Sequence, residues 1–221
     1  IQAQTAEEIV IKHIDALGGK DLIDKIRTQV VEAELTVMGT TLPSTSTLLV
    51  GKGFKNVSNF NGQDIIQCIT PAGGWIINPL QGMTDAQPLP DEQVKAAQSA
   101  LYVGGDLFDY KSRGSKIELL GRENAEGADA YKIKLISKDG TESFYYIDPT
   151  TYYVVKRRST SNINGEDITS ESTFSNYKKT DFGLVMPYTT VANQGFEIMM
   201  TVNKVEFNKE IDPKIFEMPK Q

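Results

Sequence analysis

The stretch GRENAEGADAYKIKL, Gly121 to Leu135, signals a turn and then alternates strictly. Ala130, Lys132 and Lys134 fall on one parity, and Tyr131, Ile133 and Leu135 on the other. A period of two is the signature of a β-strand with one wet face and one dry face. The dry face has to cover something, either the protein's own core or a bound guest.

The same grammar runs through most of the chain. Between Gln29 and Pro79 the segments VVEAELTVMG, LPSTSTLLVG, GFKNVSNF, QDIIQCIT and WIINP read as consecutive strands, and Asn61-Gly62 is a strong two-residue hairpin signal. A second run follows, from SKIELLGRE through DAYKIKLIS, ESFYYID, YYVVKRRST, ITSESTFSNYKK and LVMPYTTVAN to FEIMMTVNKVEFN, with turns at Lys138-Asp139-Gly140, Asn164-Gly165 and Asp181-Phe182-Gly183. The spacing predicts about a dozen short antiparallel strands. Ser and Thr on one parity of several strands favour a sheet with one solvated face. A single sheet of that width is expected to curl and to enclose more space than a solid core needs.

Two segments break the pattern. Thr5 and Glu8 form a capping-box pair, and Ala6, Ile9, Val10, His13, Ile14 and Leu17 then recur at helical spacing, with Gly18-Gly19 as the stop and KDLIDKI as a further helical turn. Midway, MTDAQPLPDEQVKAAQSALYVGGDLFDY reads as a proline-bounded loop and an Ala-rich helix ending near Gly104-Gly105. The expected helical regions are therefore about residues 5–27 and 89–104, natural plugs or lids for a curled sheet. With no linker, repeat or low-complexity segment, residues 1–221 are expected to form one domain.

Composition removes several classes of function. A net charge of −6 opposes binding to nucleic-acid phosphates or anionic lipid surfaces. Cys68 is the only cysteine, so no intrachain disulfide can form, and its place in DIIQCIT suits a small buried hydrophobe. No apolar run reaches the roughly 18 residues needed to span a bilayer. The opening IQAQTAEE, with Ala3 near a plausible cleavage point, fits a mature exported protein whose signal peptide has been removed.

No catalytic constellation emerges. His13 lies on the apolar stripe of the first helix, and one His with one Cys cannot furnish a zinc site. The DFG at Asp181 stands without a phosphate loop or a catalytic loop and reads as a turn. Glu7-Glu8 and Asp91-Glu92 sit in first helical turns, where the helix dipole explains them. In KRR, Lys156 and Arg158 point one way on a strand and Arg157 the other, which leaves Arg157 as the charge able to point inward. ESFYYID and FEIMMTV read as core, or as the lining of a cavity for apolar guests.

Taken in order, TAEEIVIKHIDALGG, GRENAEGADAYKIKL, FYYIDPTTYYVVKRR, FSNYKKTDFGLVMPY and VEFNKEIDPKIFEMP resemble proteins of the LolA-like superfamily, the periplasmic outer-membrane lipoprotein carriers and receptors. The resemblance covers nearly the whole chain. It implies a mainly β (α+β) fold, an unclosed antiparallel β-barrel of about 11 strands whose open mouth is covered by the N-terminal and midchain helices. It also implies a non-enzymatic role in the periplasm of a Gram-negative bacterium, with acyl chains of lipids or lipoproteins held on a concave apolar face and released by lid movement. Family members use an arginine to hold the lid, and Arg157 is the candidate lid contact here, chosen by parity alone. No cofactor or metal is implied, and inner- or outer-membrane transfer proteins are the candidate partners.

Side-chain parity then nominates the lining of such a cavity: Leu35, Val37, Phe54, Ile65, Trp75, Ile77, Tyr131, Ile133, Leu135, Phe144, Tyr146, Met200 and Val202. Val94, Ala97 and Leu101 form the facing side of the lid helix. Burying an acyl chain contributes roughly 0.8 kcal/mol per CH₂, enough for micromolar affinity without enzyme-like groups. The alternative is an envelope protein-interaction module that holds a protein partner on the same half-barrel, for instance an extended segment added to an open sheet edge.

Overall fold

Hairpin chemistry sets the frame. Met38-Gly39, Asn61-Gly62 and Glu126-Gly127 each place two successive residues at positive φ, the two-residue turn whose twist matches that of the strands it joins. In a computed structural model describing residues 4–163, 166–193 and 195–220, these turns link consecutive antiparallel strands. Ala3 and the Asn164-Gly165 turn lie outside the described residues.

The N-terminal helix α1 (Ala6–Ala16) starts with the expected capping box, Thr5 and Glu8 each bonding the other's backbone N–H, and α2 (Lys20–Ile23) follows. The first strands are β1 (Thr28–Val37), β2 (Thr40–Leu49), β3 (Gly53–Phe60), β4 (Gln63–Thr70), β5 (Gly73–Asn78) and β6 (Met83–Pro88). After α3 (Asp91–Ala96) and a 3₁₀ turn at Gln98–Leu101 come β7 (Lys116–Ala125), β8 (Ala128–Ile136), β9 (Glu142–Ile147) and β10 (Val154–Ile163). The last are β11 (Glu166–Lys179), β12 (Val185–Asn193), β13 (Glu197–Phe207) and a 3₁₀ turn at Pro213–Phe216.

The thirteen strands form one antiparallel sheet in the order β6-β5-β4-β3-β2-β1-β13-β12-β11-β10-β9-β8-β7. The sheet is not closed, since β6 and β7 end the order. Every expected strand is present, and β6 is added. Its sequence, MTDAQP, reads as a loop, yet it forms an edge strand, a position that tolerates its terminal proline. The midchain helix is shorter than the expected 89–104, because Ala97 and the 3₁₀ turn end the α-helical ladder early.

By contact density the chain divides into two compact units. One holds Asp106–Glu197 with the N-terminal residues through Ile23, and the other Asp24–Gly105 with the chain from Ile198 onward. Neither is a continuous stretch of sequence.

In the second unit β4 and β5 are covered on both faces. On one side Ile69, Leu89, Val94 and Leu101 are buried together, with Phe54, Ile76 and Ala97 packed against them. On the other, Cys68, Trp75 and Ala86 are buried around Phe216 from the C-terminal 3₁₀ turn. The Phe216 carbonyl accepts from Trp75 Nε1 at 3.0 Å and from Cys68 Sγ at 3.3 Å. Cys68 is fully buried, and burial pushes its thiol up to about 11, so it is a structural residue.

Candidate functional site

Cross-strand register decides which side chains share a face. In the second unit, Leu35 pairs with Met200 and Ala33 with Val202, and on the other side of β1 Leu35 pairs with Leu42 and Ala33 with Ser44. Ser44 pairs with Ser58, Leu48 with Phe54, Ser58 with Ile65 and Phe54 with Ile69. Leu35, Val37, Phe54, Ile65, Met200 and Val202 therefore lie on one face, called here the α3 face because Val94, Ala97 and Leu101 pack upon it beside Phe54.

The α3 face has three zones. Under α3 it is dry, with Leu48, Ile69 and Leu101 buried. Leu35, Val37, Leu42, Ile65 and Met200 form an apolar zone that is only half-buried. Between them runs a belt of hydrogen-bonding groups. Asn56 Nδ2 donates to Ser44 Oγ at 2.8 Å and Ser46 Oγ at 2.9 Å, and Ser58 Oγ lies 3.0 Å from Asn56 Oδ1. The sequence alone does not single out this belt. Its signal is the i, i+2 repeat of small polar residues at 44 and 46 and at 56 and 58, which marks a shared face without saying which one.

Trp75 and Ile77 do not join this surface. They pair with Cys68 and Ile66 and lie on the opposite face, in the cluster under Phe216. The expectation fails there because Trp75, Ile76 and Ile77 are all apolar. A strand covered on both sides shows no alternation from which to choose a face.

In the first unit, Ile133 pairs with Tyr145 and Leu135 with Ser143, while Lys132 pairs with Tyr146 and Lys134 with Phe144. Tyr131, Ile133 and Leu135 thus share one face with Ser143, Tyr145 and Ile147. Phe144 and Tyr146 lie on the other, among Lys132, Lys134, Ala125 and Ala130. The expectation that all five line one surface does not hold. Ile133 and Leu135 are buried, and Tyr131 is half-exposed beside Tyr152, with the ring centroids 6.4 Å apart.

Arg157 shares the face of Tyr145, its register partner. Its Nη2 donates to Asp106 Oδ2 at 3.2 Å and to Ser143 Oγ at 3.4 Å, and the Tyr145 hydroxyl donates to the same Asp106 oxygen at 2.7 Å. Burial holds the Tyr145 phenol far above its ordinary value, so it serves as a donor. Parity alone pointed to Arg157, whereas its partner Asp106, 51 residues away in sequence, carries no local signal.

Among the described residues, no three of His, Cys, Asp and Glu gather where they could hold a metal ion, and no helix is long and apolar enough to cross a membrane. His13 is buried with Nδ1 2.8 Å from the Tyr152 carbonyl.

No family model matches the chain, and no curated protein matches it in sequence. Solved structures do match in fold. A LolA superfamily protein from Nitrosomonas europaea is similar over 97% of this chain and 98% of its own, with a TM-score of 0.61 at 13% identity. A domain named for outer-membrane lipoprotein sorting, from Vibrio parahaemolyticus, matches over 96% and 97% with a TM-score of 0.61 at 15% identity. The chain has the LolA-like fold. A DUF1329 family protein from Desulfovibrio piger shares it at a TM-score of 0.55 and 11% identity, over 97% of this chain and 98% of its own.

Proposed function

We propose that this protein is a non-enzymatic carrier of the bacterial periplasm, acting as one domain, that holds acyl chains of lipids or lipoproteins on the α3 face. The observation that carries the reading is the half-buried apolar zone of Leu35, Val37, Leu42, Ile65 and Met200, next to a dry zone covered by a short helix. The LolA-like fold supports it, as does the lipoprotein-sorting name of the Vibrio domain that shares that fold.

In this reading α3 is the part of the cover that yields to the cargo. α3 has six residues and no side-chain N-cap, and Val94 and Leu101 are the side chains of this segment buried in the cluster below. Helices this short are not stable by themselves, so α3 depends on that packing. An acyl chain that took over the contacts of Val94 and Leu101 would replace like with like. Arg157 is bound to Asp106, the residue that directly follows Gly104-Gly105, a glycine pair with positive φ at both residues.

Native mass spectrometry of the protein purified from its own periplasm, followed by organic extraction, tests the reading. A bound acylated species near one-to-one stoichiometry is expected. A mass free of lipid, unchanged after incubation with lipids and acylated peptides, would contradict it. That result would favour a protein-interaction module, for which the edge strands β6 and β7 offer the free ladder positions.

A further inference from the structure

We infer that Arg157 is an oxyanion site, occupied in the ligand-free state by the Asp106 carboxylate, and that the protein binds amphiphiles with an anionic headgroup. The inference rests on the carrier reading and names the class of ligand within it.

The geometry of the guanidinium is the starting point. Nε–H and Nη2–H form one edge of the planar fork, spaced to meet two oxygens of a carboxylate or phosphate. Asp106 fills only half of that edge. Its Oδ2 lies 3.2 Å from Nη2, while Nε is buried and, among the described residues, has no hydrogen-bond partner. A buried donor left unpaired beside a paired one is costly, so the edge is better matched to an anion that offers two oxygens to it than to the single Asp106 oxygen now on it.

The surroundings suit exchange. Side-chain exposure of 29% for Arg157 and 21% for Asp106 leaves the pair reachable. Ser143, Ser159, Ser170 and Ser172 share the Arg157 face by register, with Ser159 beside Ser143 and Ser170 and with Ser172 opposite Arg157. Ser159, Ser170 and Ser172 are half-buried, and hydroxyls in that position can accept from or donate to a headgroup. Tyr145 holds its donor 2.7 Å from the Asp106 oxygen, at the place an incoming oxyanion would take.

Displacement of N-phenyl-1-naphthylamine by dodecyl phosphate, dodecanoate and uncharged dodecanol tests the inference. The three share one chain length and differ in headgroup. In the wild-type protein both anions are expected to bind about ten-fold tighter than dodecanol, as a charge-assisted bidentate contact requires. Whichever anion binds tighter identifies the headgroup as phosphate or carboxylate. Arg157→Gln should bring all three to within about two-fold of one another, and Asp106→Asn should strengthen the anions while leaving dodecanol unchanged. Equal affinities for the three probes in the wild-type protein, or an anion preference that survives Arg157→Gln, would overturn the inference and leave the carrier reading standing. If Arg157→Gln does not fold, an anion-to-alcohol ratio unaltered in Asp106→Asn overturns it instead. Failure of every probe to bind would overturn both.

Discussion

At the scale of single residues, burial sets the consequences. His13 is a buried imidazole whose Nδ1–H donates to the Tyr152 carbonyl, and burial lowers its pKa from 6.5 to about 4 despite that bond. Below pH 6.5 the unfolded chain takes up a proton that the folded protein refuses. The stability contributed by neutral His13 is therefore complete above about pH 6.5 and is lost as pH falls toward 4, by about 3 kcal/mol in all. Urea unfolding at pH 7.5 and 4.5 should show that loss in the wild type and a smaller one in His13→Gln; equal losses would contradict the assignment. Leu135 has the opposite character from a ligand contact. At 3% exposure it belongs to the core, so Leu135→Asp should abolish folding rather than selectively weaken binding, which far-UV and near-UV circular dichroism would show.

At the scale of elements, the C-terminal 3₁₀ turn and α3 clamp β4 and β5 from opposite sides, and the two clamps differ in strength. Phe216 is buried, its carbonyl takes two donors, and a methyl group on Gly53 would meet its ring at 2.4 Å. Phe216→Ala should cost about 3–5 kcal/mol, measured by chemical denaturation. Val94→Ser should leave global stability closer to wild type and instead speed amide exchange across Asp91–Leu101, because it loosens the cover alone. The same two-sided burial explains what the sequence could and could not reveal. Local chemistry made the Thr5–Glu8 capping box, the Asn61-Gly62 hairpin and the alternation of Tyr131, Ile133 and Leu135 readable. The faces of Trp75, Ile77, Phe144 and Tyr146 were not, since in WIINP and ESFYYID apolar side chains occupy both parities. β6 escaped notice for another reason: an edge strand needs neither a hydrophobic face nor a full ladder.

At the scale of the whole molecule, the thirteen-stranded sheet carries apolar residues that α3 leaves only half-buried. In the second unit these lie on the α3 face and, unlike Leu135, are exposed enough to be changed without loss of the core. A photoreactive fatty acid carrying a diazirine on its chain, irradiated with the purified protein and mapped by peptide mass spectrometry, tests the claim most directly. Adducts are expected on β1, β4 and β13 at or beside Leu35, Val37, Ile65 and Met200. Adducts confined to the Trp75–Ile77 side beneath Phe216, or none above the level of a denatured control, would contradict it.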